Sequence, residues 1–246
     1  MIADPASGIR VVLLDIEGTT TPISFVHETL FAFARAHLDD YLAHHWRDST
    51  LQAIVRKLAD EHAAEQGHAT DWKTAADDDP RASAAAYVRW LMDRDRKSPG
   101  LKLLQGRIWE RGYRAGELRG QVFADVPDAI RRWHAGGIDI AIYSSGSELA
   151  QRRLFESTEH SDLTPFITAF FDTAVGAKIS AGSYATIARA LGRSPAGILF
   201  VSDVAAELSA ARNAGLQVLL SLRPGNAVQP GAGEFEAVNS FEEIHT

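Results

Sequence analysis

The chain has 246 residues, 46% of them hydrophobic, with a formal net charge of −7 and no cysteine. This composition supports an ordinary globular interior, and the absence of cysteine excludes disulfides, thiolate zinc sites and cysteine nucleophiles. The negative charge, without a dense stripe of lysine and arginine, argues against non-specific binding to nucleic acid or anionic membranes. Residues 1–10 lack the pattern of a secretory signal. No apolar run approaches the ~20 residues that span a bilayer. We therefore expect a cytoplasmic monomer without nucleic-acid or membrane partners.

The first predicted strand leads directly into a pair of acidic residues. Val11–Leu14 is short and apolar throughout, as expected of a central parallel strand buried on both faces. Asp15 follows at its carboxyl end, where open α/β sheets bind their ligands, and Gly18 lets the chain turn sharply. A carboxylate can attack phosphorus, and Glu17 could reach back to shuttle protons. The stretch favours a phosphoryl-transfer site, although the two acids could instead only cap the following turn.

A long helical segment follows this strand. Apolar residues recur in it at spacings of three and four, the period of amphipathic helices. They are Leu30, Phe33, Ala34, Leu38, Tyr41 and Leu42, and later Leu101, Leu104 and Ile108. Between these groups, Asp79 is predicted to cap a helix that begins at Pro80 and continues through Trp90.

From about residue 122 the pattern changes to strands that alternate with helices. This alternation predicts a doubly wound parallel sheet, so the helical segment is an insertion after the first strand. We predict an α/β core of residues 1–24 and 121–246 and a helical domain of residues 25–120. The predicted later strands are 138–143, 197–201 and 218–220, with a looser stretch around Phe170–Asp172.

Polar residues follow the predicted strands or lie in the loops beside them. Because parallel strands place their carboxyl ends at one edge, these distant residues can converge there. Asp15 would attack phosphorus, and an Mg²⁺ ion between Asp15 and Asp203 would relieve their repulsion of the phosphate. Ser144 offers a hydroxyl, Ser145 a backbone N–H and Lys178 a positive charge to the phosphate. Taken alone, each of the serine, lysine and Asp203 positions is better explained as a helix cap or a surface lysine, so the prediction depends on their joint order.

That order resembles the haloacid dehalogenase superfamily of phosphatases with an aspartate nucleophile. The superfamily's four motifs match Asp15–Thr19, Ser144, Lys178 and Asp203. The resemblance implies a Rossmann-like core and implies that residues 25–120 form an α-helical cap. Most phosphatases of the superfamily have an aspartate two residues after the nucleophile, whereas this chain has Glu17.

The glutamate indicates one branch of the superfamily, the enolase-phosphatase (acireductone synthase) family. The string from Asp15 to Val26 resembles that family's signature. Further matches are Gly112–Tyr113, Gly116–Leu118, Tyr143–Ser147, Gly176–Lys178 and Arg223–Asn226. The implied activity is enolisation of 2,3-diketo-5-methylthiopentyl-1-phosphate followed by removal of its phosphate, in methionine salvage.

The resemblance also implies roles for individual residues. Asp15 and Asp203 would bind one Mg²⁺ through their side chains, and Glu17 would bind it through its backbone carbonyl. Glu17 would also serve a proton step beside the nucleophile Asp15. The residues implied to hold the substrate are Ser144, Ser145 and Lys178.

Two other functions stay open at this point. One is a capped phosphatase or phosphomutase of the same superfamily that acts on another small phosphate ester. The other is a receiver domain, which also combines an aspartate, a hydroxyl residue and a lysine on a parallel sheet. A receiver carries its aspartate after a later strand and has no long helical insertion, so the sequence disfavours it.

A few further residues have two possible interpretations. Glu207 follows Asp203 by one helical turn and could orient Lys178, or it could be an ordinary surface acid. His27 could approach the pocket. Trp109 and Tyr113 could line a site for the methylthio group, but core packing is favoured for both.

Overall fold

The computed structural model describes residues 8–65, 72 and 80–245 of the chain. The contacts among residues divide it into two compact units. The first unit combines the residues up to His27 with those from Gly116 onward, and the second spans Glu28–Ala115. Asp79 lies outside the described residues, so its predicted capping role is not addressed. The assignment of residues 1–24 and 121–246 as core and 25–120 as cap stays a prediction.

The described residues form six strands and nine α-helices. The strands are β1 (Val11–Leu14), β2 (Asp139–Tyr143), β3 (Ala169–Phe171), β4 (Ile198–Ser202), β5 (Gln217–Ser221) and β6 (Ala237–Val238). The α-helices are α1 (Ala32–Ala36), α2 (Leu38–His45), α3 (Ser49–Ala64), α4 (Pro80–Asp93), α5 (Pro99–Ala115), α6 (Val126–Ala135), α7 (Glu148–Glu156), α8 (Ala181–Ala190) and α9 (Ala205–Asn213). A π-helix spans Phe25–Phe31. Short 3₁₀ turns are Thr164–Phe166, Thr173–Val175, Pro195–Gly197, Ala232–Glu234 and Phe241–Glu243.

The first unit is built on a six-stranded sheet with the order β3-β2-β1-β4-β5-β6. Every pairing between neighbouring strands is parallel. The chain starts at β1 in the middle, moves to one edge through β2 and β3, and returns to fill the other side through β4. This reversal of direction is what defines a doubly wound sheet, and it puts a crevice beside β1. The predicted fold class is confirmed.

Two strands differ from the sequence-based expectation. The looser stretch expected around Phe170–Asp172 overlaps a strand, Ala169–Phe171, that pairs with β2. The strand Ala237–Val238, which pairs with β5, was not predicted. Strands of two or three residues are too short to show an alternating pattern, so only their pairing reveals them.

Both faces of the sheet are covered. Val11 and Leu13 of β1 pack into a core with residues of α8 and α9, among them Tyr184 and Leu208. All four β1 residues are fully buried, including the pair whose side chains point to the opposite face. This burial explains why β1 is apolar throughout and why its first polar residue is Asp15, just beyond the end of the strand.

The second unit is helical. Helix α3 packs against α4 and α5, and the buried side chains of these helices form its core. Trp109 is buried, and its indole N–H donates to the Leu30 carbonyl at 2.7 Å, within the same unit. Tyr113 is buried as well. In the parts of the chain that the structure describes, no helix is both long and apolar enough to cross a membrane.

Candidate active site

The register of the sheet brings the predicted motifs to one edge. Leu14 is aligned with Ile142 of β2 and with Val201 of β4. One residue further along each strand, Asp15 is level with Tyr143 and Ser202. The Asp15 N–H donates to the Val201 carbonyl at 3.0 Å. Ser144 and Asp203 each follow by one further residue. Asp15, Ser144 and Asp203 therefore leave three adjacent strands at the same end.

Asp15 begins a tight loop of residues 15–21, which we call the nucleophile loop. The Ile16 carbonyl accepts the backbone N–H groups of Thr19, Thr20 and Thr21 at 2.8–3.2 Å. The Thr20 hydroxyl donates to the Asp15 carbonyl at 3.1 Å, and the Ile16 N–H donates to Asp15 Oδ1 at 2.7 Å. These bonds fix a carboxylate that is only 4% exposed.

Lys178 reaches this carboxylate from the loop between β3 and α8. Its Nζ lies 2.6 Å from Asp15 Oδ1 and 2.7 Å from Glu207 Oε2. The Tyr184 hydroxyl donates to the Lys178 carbonyl at 2.7 Å. Gly176, just before the lysine, has φ +132°, and a Cβ there would meet Ser183 Oγ at 2.2 Å, so this turn requires glycine. Glu207 thus contacts Lys178, as one of its two interpretations predicted.

Negative charge exceeds positive charge in this cluster. The carboxyl groups of Asp15, Asp203 and Glu207 share the edge with the single ammonium group of Lys178. Burial alone would lower the pKa of Lys178, but the neighbouring Asp15 and Glu207 carboxylates outweigh burial and raise it to about 12. Burial, reinforced by the charge of Asp15, raises the pKa of Asp203 to about 7. The same two causes outweigh Lys178 and raise the pKa of Glu207. The cluster is therefore suited to bind a cation.

Asp203 packs directly against the nucleophile loop at Gly18. Gly18 has φ +69°, and a Cβ built on it would lie 2.4 Å from Asp203 Oδ2. Only glycine allows this approach of the backbone to the carboxylate. In the described part of the chain, no three His, Cys, Asp or Glu side chains are arranged to hold a metal by themselves. Mg²⁺ does not need such a cage, because it commonly takes one or two carboxylates and completes its shell with water and substrate phosphate. Asp15 and Asp203 fit that pattern.

The Glu17 side chain points to a different partner. Its Oε1 lies 2.8 Å from His27 Nε2, and both side chains are about half exposed. Glu17 forms a β-bridge with Thr21. In this bridge the Gly18 N–H donates to the Thr21 carbonyl, and the Thr21 N–H donates to the Ile16 carbonyl. The Glu17 carbonyl takes no part in this bridge, which is compatible with its predicted role as a metal ligand. That role stays a prediction.

The two serines after β2 differ in their environments. Ser144 is buried, its N–H donates to the Phe171 carbonyl at 3.2 Å, and its Oγ accepts the Gly146 N–H at 3.2 Å. Ser145 is exposed. The helix-capping role belongs to Ser147, whose Oγ accepts the Ala150 N–H at 3.3 Å. Ser144 and Ser145 are therefore free of that role, and their binding of a phosphate stays a prediction.

Sequence reasoning did not identify two residues that support the cluster. The Ser202 hydroxyl lies 3.3 Å from Asp15 Oδ2 and 3.1 Å from Glu207 Oε2, and it connects the two acids. Asn226 donates through Nδ2 to the Gly18 carbonyl at 2.8 Å. Asn226 belongs to the matching segment Arg223–Asn226, but no pattern in the sequence indicated which residue it contacts.

A buried arginine anchors the far side of the nucleophile loop. Arg223 Nε donates to the Thr19 carbonyl at 3.2 Å, and its Nη1 lies 2.8 Å from Asp125 Oδ2. The guanidinium is centred 4.6 Å from the ring of Phe123 and 4.5 Å from that of Phe241. Two aromatic faces and a carboxylate whose side chain is 11% exposed together hold this cation in place.

Comparisons with known proteins show which proteins this chain is similar to. The family model of haloacid dehalogenase-like hydrolases matches residues 9–215. The chain is similar to Enolase-phosphatase E1 of Synechococcus elongatus, with 50% identity over 96% of this chain and 98% of that protein. It is 42% identical to Enolase-phosphatase E1 of Drosophila erecta, over 96% of this chain and 92% of that one. The crystal structure of the UTR4 protein of Saccharomyces cerevisiae aligns with a TM-score of 0.77 and 34% identity, covering 96% of this chain and all of the other.

Proposed function

The chain belongs to the haloacid dehalogenase-like hydrolases and, within them, to the enolase-phosphatase E1 family, and on this premise we propose that it is the acireductone synthase of methionine salvage. It converts 2,3-diketo-5-methylthiopentyl-1-phosphate to 1,2-dihydroxy-3-keto-5-methylthiopentene and phosphate. The reaction has two parts, an enolisation and the hydrolysis of a phosphate ester.

One observation carries the phosphatase part of the proposal. Asp15 and Lys178 are 163 positions apart in the chain, yet their side chains are 2.6 Å apart at the carboxyl edge of the sheet. The positive charge of a buried lysine at this distance attracts a phosphate dianion to the aspartate. The pair supports the role of Asp15 as the nucleophile.

The phosphoryl transfer then follows from the residues of the cluster. Asp15 attacks phosphorus and the bond from phosphorus to the C1 oxygen breaks, which leaves an aspartyl phosphate. Lys178 compensates the negative charge of the phosphate during this step. Glu17 gives a proton to the departing oxygen and later takes one from the water that hydrolyses the aspartyl phosphate. The Ser144 hydroxyl and the Ser145 N–H hold the phosphate oxygens.

The proposal includes one Mg²⁺ ion, held by the side chains of Asp15 and Asp203 and the backbone carbonyl of Glu17. When bound, the ion supplies Lewis-acid polarisation of the C2 carbonyl for enolisation and screening of the phosphate charge. The protein's own contribution is an edge at which negative charge exceeds positive charge and at which Asp203 packs against Gly18. Both features favour a small divalent cation.

The decisive experiment supplies the diketone phosphate to the protein with Mg²⁺ under anaerobic conditions. Phosphate release and the absorbance of the enol products are followed together. The proposal predicts that both appear, in equal final amounts. Phosphate release without an enol product, together with rapid hydrolysis of generic phosphate esters, would instead favour another capped phosphatase. Stable phosphorylation without turnover would favour a receiver.

The raised pKa of Asp203 predicts that Mg²⁺ binding depends on pH. Metal binds the carboxylate and not the carboxylic acid, so a proton must leave before the metal binds. With a pKa of about 7 in the metal-free protein, the apparent affinity should rise with pH and level off above pH 7. Well below that value it should fall by about tenfold per pH unit for one released proton. Isothermal titration calorimetry between pH 5.5 and 8.5 measures this slope.

The same shift predicts the sign of a stability change. The pKa of Asp203 lies above its ordinary value of 3.8, so the folded metal-free protein binds this proton more tightly than the unfolded chain. The contribution of Asp203 to the free energy of unfolding should therefore fall as the pH rises from about 4 to about 7. Saturating Mg²⁺ should reverse this loss near neutral pH. An Mg²⁺ affinity that is constant between pH 5.5 and 8.5 would contradict the assignment of Asp203 as a ligand.

A further inference from the structure

The amide of Asn226 has a fixed orientation. Its Nδ2 donates to the Gly18 carbonyl at 2.8 Å and approaches the Ser221 carbonyl at 3.4 Å. Both partners accept hydrogen bonds and cannot donate them, so the NH₂ group must face them. Asn226 Oδ1 therefore faces the other way. This oxygen is buried and has no hydrogen-bond partner among the residues that the structure describes.

The space that this oxygen borders is the one next to Asp203. A Cβ added to Gly18 would lie 3.1 Å from Asn226 Oδ1 and 2.4 Å from Asp203 Oδ2. The two oxygens thus flank the same small region beside the Gly18 α-carbon. The Asn226 oxygen can only accept a hydrogen bond, and burying an acceptor without a donor is unfavourable. A hydrogen-bond donor placed in this region would satisfy the Asn226 oxygen.

A neutral acceptor suits this position better than an acid would. Asp15, Asp203 and Glu207 already supply three carboxyl groups against the one ammonium of Lys178. A further carboxylate would add to their mutual repulsion in the metal-free protein, whereas an amide oxygen accepts hydrogen bonds without adding charge. The amide also provides the NH₂ group that the carbonyls of Gly18 and Ser221 need.

We propose that Asn226 is a positioning residue of the cation site. Its NH₂ group anchors Gly18, and its Oδ1 accepts a hydrogen bond from the hydration shell of the cation that Asp15 and Asp203 hold. The inference rests on the proposed function, since it requires the cation. It assigns a role to the loop after β5, which otherwise contributes no group to the reaction.

The test is the Mg²⁺ affinity of purified variants, measured by calorimetry without substrate. Asn226→Ala should weaken Mg²⁺ binding by about tenfold or more, the range found when groups that support metal ligands are removed. Asn226→Asp loses the donors to Gly18 and Ser221 but keeps an acceptor toward the cation. It should bind Mg²⁺ at least as tightly as the wild type, although its metal-free form should unfold at a lower temperature.

Gln217→Ala is the matched control, because it also removes a side-chain amide that donates to a backbone carbonyl, that of Ala196 at 3.1 Å, but at the first residue of β5, away from the carboxyl edge of the sheet. Its Mg²⁺ affinity should stay within about threefold of the wild type, a smaller change than the roughly tenfold or more expected when a group that supports a metal ligand is lost. If Asn226 only anchored the loop, the aspartate variant would bind as poorly as the alanine variant, and that result would overturn the inference. Unchanged Mg²⁺ affinity in Asn226→Ala would overturn it as well.

The outcomes also separate this inference from the proposed function. If the wild type does not bind Mg²⁺, the proposed cation site itself is wrong and the role of Asn226 falls with it. If the wild type binds Mg²⁺ and converts the diketone phosphate while the Asn226 variants bind normally, only the inference on Asn226 is wrong. If Asn226→Ala does not fold, the Mg²⁺ affinity of Asn226→Asp decides alone, since retained binding supports the inference and lost binding overturns it.

Discussion

Asp15→Asn should abolish phosphate release, with kcat lowered by at least ~10⁴-fold, the scale seen when a nucleophile is removed. Asparagine has the shape of aspartate and can still accept the hydrogen bond of Lys178, which lies 2.6 Å from Asp15 Oδ1. Its amide cannot form an aspartyl phosphate. Release of inorganic phosphate from the diketone phosphate measures the loss. Enolisation does not need the nucleophile, so some enol should still form if the cation binds.

The matched control for this variant is Asp139→Asn. Asp139 begins β2 at the opposite end of the strand from Ser144 and pairs with Arg193 at 2.8 Å on a partly exposed surface. We expect its activity to stay within about twofold of the wild type, because surface ion pairs contribute little. Wild-type phosphate release from Asp15→Asn would show that the nucleophile is another residue.

Lys178→Met should lower the kcat of phosphate release by about 10²–10³-fold, as expected when one preorganised group that stabilises charge is removed. Methionine is similar in length but carries no charge, so Asp15 and Glu207 lose the partner that lies 2.6 and 2.7 Å from them. Lys178 lowers the pKa values of Asp203 and Glu207 in the wild type, so both pKa values should rise in the variant. The acidic limb of the pH–rate profile should therefore move to higher pH.

Lys57→Met is the control for the lysine variant, since Lys57 is an exposed residue of α3. It should leave both kcat and the pH profile unchanged. Thermal unfolding of both variants shows whether they are folded at the temperature of the assay. The loss of a charge-stabilising group should lower kcat far more than about threefold. A kcat for Lys178→Met within about threefold of the wild type would therefore contradict the assigned role of the lysine.

The acidic part of the cluster could be predicted from the sequence because of one geometric rule. Asp15 and Asp203 each end a short apolar run, and parallel strands place such ends together. The observed register of β1 against β4 sets Asp203 one residue beyond the level of Asp15. Lys178 follows no such rule, since it lies in a loop, and only the order of the motifs indicated it.

The supporting residues could not be predicted, because they act through contacts that leave no periodic signal. Ser202 is the last residue of β4, where a serine is unremarkable in the sequence. Asn226 lies in a turn after β5, and its contact with Gly18 spans 208 positions. Short strands raise the same difficulty. β6 has two residues and owes its structure to its pairing with β5, so a sequence window contains almost no information on it.

Arg223 links the nucleophile loop to a segment near the end of the chain. Besides Thr19, it donates to the Asn239 carbonyl at 3.1 Å and lies against the ring of Phe241. Asp125, its ionic partner, also accepts the Phe241 N–H at 2.6 Å. A truncation before Asn239 would therefore remove the Asn239 carbonyl and the Phe241 ring from the buried Arg223 guanidinium. The guanidinium would then be less firmly held, and its hydrogen bond to the Thr19 carbonyl would be weakened. The activity should therefore depend on residues 239–241 as well, which act on the nucleophile loop through Arg223.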